Sequence, residues 1–121
     1  MKQSRIVAVL ALLLGLAMIG GGAMKLAGQS GQVEAFGALG LPAWFRMLVG
    51  TFEVIGGVLV IVPMTIPAGS LILSTILIGA LWAHVAQGDW SHAVPPVVLL
   101  PLFLTIFRAN RARAVQLLGG A

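Results

Sequence analysis

Four stretches of this chain, at about 6–28, 43–62, 68–86 and 94–108, are apolar runs that hold very few charged residues. A spanning helix needs roughly 20 such residues, since each adds about 1.5 Å and the hydrocarbon core is about 30 Å thick. Oil offers no partner to a backbone amide, so a crossing segment must satisfy its own hydrogen bonds. Runs of this length predict an all-α protein: a four-transmembrane-helix bundle with both termini on the same, cytoplasmic side. Composition agrees, with 60% hydrophobic and 8% charged residues among 121, against about 25% charged in a soluble domain. Four spans use most of the chain, so residues 1–121 are expected to form a single transmembrane domain.

The connections are short. The first run follows Lys2 and Arg5, and its small residues Gly20 to Ala23 also suit a signal peptide, but its length favours a retained span. Residues 29–42 carry Gly31, Gly37 and Gly40, and Val33, Phe36, Leu39 and Leu41 fit a short interfacial helix. Pro63 and Pro67 leave only a tight turn between spans two and three. The polar stretch 87–92 reads as a loop holding His92, with Pro95 and Pro96 opening the fourth span and Pro101 predicting a kink within it.

Five of the seven Lys and Arg residues, Lys2, Arg5, Arg108, Arg111 and Arg113, flank the first and last runs. The positive-inside rule places those ends in the cytoplasm. Trp44, Trp82 and Trp90 fall on the opposite side, as an interfacial belt. A multi-pass protein of the cell (inner) membrane is the expectation, with the lipid bilayer as first partner. The net charge of +4 does not point to nucleic acid, because the basic residues are few and no aromatic surface accompanies them. The absence of cysteine rules out a disulfide, thiol exchange or a cysteine-held iron-sulfur cluster within this sequence.

Membrane helices pack through small residues. Arg46, Gly50, Glu53 and Gly57 share one face of the second span. Gly15, Met18, Gly22 and Lys25 form a similar stripe on the first, and Ser70, Ser74, Leu77, Leu81 and His84 on the third. Gly22, Gly50 and Gly57 are the expected packing positions. Helical rise puts Glu53 near mid-membrane and Arg46 about 10 Å further out, with Lys25 and His84 near the outer helix ends. A carboxylate at that depth costs several kcal/mol unless it is paired or reaches water. Glu53 is therefore expected to pair with Lys25 or Arg46, to hold a proton, or to face a ligand.

His84 and His92 stand eight residues apart across a loop and the sequence has no thiolate, so no metal or haem ligation is expected. No nucleophile elbow or phosphate loop is present, and catalytic residues stay unassigned.

The stretch from Gly22 to Gly28 with Lys25 and Leu26, then Leu39-Gly40-Leu41-Pro42 with Trp44, then Gly50, Glu53, Gly56, Gly57 and Pro63 form an ordered pattern. Gly79-Ala80, His84, Pro95-Pro96 and Arg108 continue it. This pattern resembles the DoxX-like family of small four-helix membrane proteins over nearly the whole chain. The resemblance implies that Lys25, Glu53 and His84 occupy motif positions. It also implies a hydroxyl residue before the histidine, where this chain has Ala83. The family is named for a membrane subunit of a thiosulfate:quinone oxidoreductase, while other relatives are linked to oxidative-stress complexes or receptor assembly.

The resulting expectation is an accessory membrane subunit whose outer-half pocket, lined by Lys25, Arg46, Glu53 and His84, binds a lipophilic, polar-headed ligand such as a quinone. It would have no intrinsic cofactor, would take electrons from a redox partner protein or a soluble donor, and is small enough to form a homo-oligomer. The alternatives are a non-enzymatic scaffold or assembly protein and, behind it, a proton-coupled transporter.

Overall fold

The computed structural model describes residues 2–119, with side-chain environments over 5–111. The helices are α1 (Lys2–Ala27), α2 (Ser30–Ala38), α3 (Ala43–Ile61), α4 (Ile66–Ala86) and α5 (Trp90–Gly119), with a 3-10 turn at Pro63–Thr65 before α4. Among the described residues, four segments are long and apolar enough to cross a bilayer: Arg5–Ala27, Ala43–Ile61, Pro63–Ala86 and Trp90–Arg111. The fifth helix, α2, is the short one expected between the first two spans, and it buries none of its residues.

Successive spans run antiparallel, as Gly15 facing Gly57 and Gly22 facing Gly50 show for α1 and α3, so the start of α1 and the later part of α5 lie toward one end of the bundle. There the side chains of Arg5, Arg108 and Arg111 are exposed; those of Lys2 and Arg113 fall outside the described set. Trp44, Trp82 and Trp90, 68%, 76% and 67% exposed, occupy the opposite end. α1 packs on α3, α3 on α4 and α4 on α5, whereas α1 and α5 touch only sparsely. Ala11, Leu14 and Met18 of α1 nevertheless join Val60, Leu73, Leu77, Phe103 and Ile106 in one buried core. Large apolar side chains elsewhere, such as Leu13, Phe52, Ile78 and Val98, point outward, as a bundle solvated by acyl chains allows.

The α1–α3 seam is made by glycine. A Cβ on Gly15 would lie 2.7 Å from the Gly57 carbonyl oxygen, and one on Gly57 would lie 2.7 Å from the Gly15 oxygen. Gly22 and Gly50 face each other in the same reciprocal way, at 2.6 and 2.9 Å. Both pairs repeat every seven residues, which keeps one seam facing its partner over two turns. Gly56 and Gly69 extend the close approach to α3–α4, where a Cβ on Gly69 would meet the Gly56 oxygen at 2.7 Å. Gly28 and Gly88, both at φ +71°, end α1 and α4 in the left-handed conformation that a side chain disfavours.

One boundary differs from the sequence reading. The loop before the fourth span covers only residues 87–89, and α5 begins at Trp90 rather than at the prolines. Asp89 starts it: its Oδ1 accepts from the His92 amide at 3.4 Å and from the Ser91 hydroxyl at 3.2 Å. An aspartate bonded to the third helical amide is an N-cap, so His92 belongs to the first turn of a helix, not to a loop. Pro95 and Pro96 sit inside α5.

Candidate functional site

Polar side chains gather in two groups at the tryptophan end of the bundle. The first brings together three of the four expected residues. Lys25 Nζ lies 2.7 Å from Glu53 Oε1, with the two side chains 14% and 7% exposed. The glycine seam makes this contact possible: Gly22 and Gly50 hold α1 and α3 close enough for a lysine to reach a carboxylate on the facing helix. Of the two cations expected near Glu53, Lys25 is the one that reaches its carboxyl group. Arg46, though on the same face of α3, instead donates from Nη1 to the Lys25 carbonyl oxygen. That carbonyl lies in the last turn of α1, where a cation is favoured by the unpaired oxygens.

His84 is not in this group. Its Nδ1 is 3.5 Å from Asp89 Oδ2, while His92 Nδ1 is 2.8 Å from the same oxygen. The two imidazoles stack, with centroids 5.5 Å apart and planes 22° from parallel. Helix geometry explains the meeting. Gly88 turns the chain back, so the end of α4 and the first turn of α5 face each other across Asp89. The Asp89 amide completes that turn by donating to the His84 carbonyl at 2.8 Å. His84 Nδ1 is buried and makes no proper hydrogen bond; at 3.5 Å its contact with Asp89 is electrostatic only.

These residues line a cavity of about 410 Å³ between α2 and the α4–α5 corner, together with Glu34, Ala35, Leu39 and Gln87. It is open to the surface rather than enclosed. Lys25, Arg46 and Glu53 do not line it. The single four-residue pocket expected from the sequence is thus two arrangements: a triad between α1 and α3 in which Lys25 pairs with Glu53 and Arg46 holds the Lys25 carbonyl, and an imidazole–carboxylate cluster under α2. Sequence reasoning missed Asp89 and His92 as partners of His84. The signal was the Asp-x-x-His spacing at the start of a helix. Among the described residues, no three His, Asp or Glu side chains are grouped to hold a metal ion.

The hydrogen bond from His92 holds the Asp89 carboxyl below its ordinary value of 3.8, helped by the His92 amide and the Ser91 hydroxyl. A lowered carboxyl pKa stabilises the fold above the ordinary value, and that contribution is lost as pH falls through the lowered one. Asp89→Ala is therefore expected to melt below wild type at pH 7, with the gap narrowing in melts taken below about pH 3.8. A gap that stays constant with pH would mean that the charge contributes nothing.

Two hydroxyls are unusual. Ser70 and Ser74 are buried, and their Oγ atoms have no hydrogen-bond partner. The exposed Thr51, Thr75 and Thr105 each donate to the carbonyl four residues back, all at 2.8 Å. The serines lie on the α4 stripe that ends at His84, and nothing in the structure explains their lack of partners.

Fold and polar clusters together define a small four-span membrane protein with an ion-paired interior and an interfacial cavity. The profile of the DoxX-like family matches residues 9–106, and the chain belongs to that family. It is also similar to the Bacillus subtilis (strain 168) protein named "Putative oxidoreductase CatD", 33% identical over 60 residues. That match takes in 50% of this chain and 45% of the relative, less than half of its length. No solved structure matches the chain.

Proposed function

We propose that this DoxX-like protein is an accessory subunit of a membrane redox complex. In this reading it binds the ring of a quinone-like lipophile in the cavity under α2, on the non-cytoplasmic side of the cell membrane. The observation that carries the reading is the convergence of His84, His92 and Asp89 on a cavity whose other wall is Ala35, Ala38 and Leu39. A quinone needs such a divided surface, with donors for its oxygens and apolar contact for its ring and tail. His84 and His92 can donate to or accept from a ring oxygen, and the shared Asp89 carboxylate steadies whichever imidazole is protonated.

Reduction of the ring takes two electrons and two protons. A redox partner protein supplies the electrons, and the imidazoles pass protons from the aqueous face. The word oxidoreductase in the relative's name supports a redox setting. The test is the affinity of the purified protein for a short-tailed benzoquinone. His84→Ala is expected to weaken binding about tenfold, equivalent to about 1.4 kcal/mol, while Glu53→Gln, outside the cavity, leaves it unchanged. Wild-type affinity in His84→Ala removes the proposal.

One observation favours a second reading. The closed Lys25–Glu53 bridge over a glycine seam is what a purely structural scaffold would contain. In that case Glu53→Gln lowers the melting temperature, while a membrane partner still co-purifies with variants of the cavity.

A further inference from the structure

The Lys25–Arg46–Glu53 triad does not balance. Lys25 and Arg46 contribute two cationic side chains, the one carboxyl group beside them can offset at most one, and Glu53 is held by Lys25 at 2.7 Å. Arg46 is only 9% exposed. It makes one hydrogen bond, to a backbone carbonyl, and no carboxylate lies within ion-pair distance of it among the described residues. The other acids, Glu34 and Asp89, line the cavity under α2, and Asp89 pairs with imidazoles. A guanidinium has five N–H donors in a planar fork, and a buried charge without a counter-ion is costly in a membrane.

Its position indicates what completes it. Arg46 is the fourth residue of α3, about one turn from the start of that helix. Trp44, two residues earlier and 68% exposed, marks the headgroup level of the bilayer. The guanidinium lies beneath the α1–α2 corner, where a Cβ on Gly28 would be 3.9 Å from Arg46 Nη1. α3 starts after Pro42 with no side-chain cap, so the positive end of its dipole faces the same level.

We propose that Arg46 is the receptor for a phosphate oxyanion, supplied by an anionic phospholipid of the leaflet at this end of the bundle. The phosphate oxygens take the free N–H groups of the fork, and its charge balances the triad. The lipid then clamps the start of α3 against the end of α1. This site is independent of the cavity under α2 and does not require a quinone.

The test uses full-length protein stripped of lipid in a neutral detergent, melted with phosphatidylglycerol, phosphatidylcholine or inorganic phosphate. Phosphatidylglycerol is expected to raise the wild-type Tm by roughly 5 °C at saturation and to leave Arg46→Gln unmoved. An equal rise with inorganic phosphate assigns the site to a soluble oxyanion, and a rise with the lipid alone assigns it to the headgroup. The proposal is overturned if no ligand raises the wild-type Tm, or if Arg46→Gln responds as wild type does. Should Arg46→Gln not fold, native mass spectrometry of the wild type from an equimolar lipid mixture decides: preferential retention of phosphatidylglycerol supports the site, and equal retention of both lipids overturns it.

Discussion

Lys25→Met is expected to destabilise the protein by about 3–5 kcal/mol, the usual cost of stranding one member of a buried ion pair. The loss reflects less the removal of an attraction than what remains, a Glu53 side chain only 7% exposed and deep between helices. Glu53→Gln alone is expected to cost less, because Lys25 lies near the end of α1 and its flexible stem can carry the ammonium toward the interface. Combining Lys25→Met with Glu53→Gln should recover much of the loss, as replacing both members of a buried pair often does. Unfolding of the four proteins in detergent micelles forms a double-mutant cycle. Strictly additive effects would mean that the 2.7 Å contact carries no coupling energy.

Gly57→Ala and Gly22→Leu test the seam that brings those two side chains together. A Cβ at position 57 would come 2.7 Å from the Gly15 carbonyl oxygen, and one at position 22 would come 2.6 Å from the Gly50 oxygen. These obstacles are backbone atoms, which no rotamer change can move aside. The helices must separate, and the dispersion contacts that hold a membrane bundle fall off steeply with distance. Gly57→Ala is expected to cost about 3 kcal/mol, the upper part of the range for overpacking, and Gly22→Leu to prevent assembly of α1 on α3. Gly79→Ala is the matching control, since nothing lies within 4 Å of a Cβ there. It should be neutral or stabilising by up to about 1 kcal/mol, because alanine is the better helix former. If Gly57→Ala and Gly79→Ala melt alike, the close seam is not a source of stability.

Both sets of variants separate structure from chemistry. If the cavity under α2 binds the ligand, conservative changes in the triad should alter melting without altering affinity. A change at His84, whose Nδ1 makes no hydrogen bond, should do the reverse.

Much of the architecture was legible in the sequence. The number of spans follows from hydropathy, because a backbone in oil has few ways to satisfy its amides. The short helix over 30–38 and the packing glycines were also readable from composition and helical period. The start of α5 was misplaced because two prolines outweighed an aspartate cap. A proline marks where amide bonds are missing, but a cap side chain decides where a helix begins.

The candidate site was less legible. Lys25, Arg46, Glu53 and His84 were each recognisable as polar residues in apolar runs, yet their partners were not. Arg46 and Glu53 share a helix face seven residues apart, which separates them by about 10 Å along the axis, so only another helix could supply the closer cation. Whether that helix was α1 depended on the register set by Gly15, Gly22, Gly50 and Gly57. His84 likewise found Asp89 and His92 only because α5 turns back across the end of α4. By itself the sequence determined what must be buried in the membrane, through the cost of exposing amides and charges to oil. Which buried groups meet was decided by the tertiary structure, because a hydrogen bond or ion pair fails over a few ångströms and helix register sets distances on that scale.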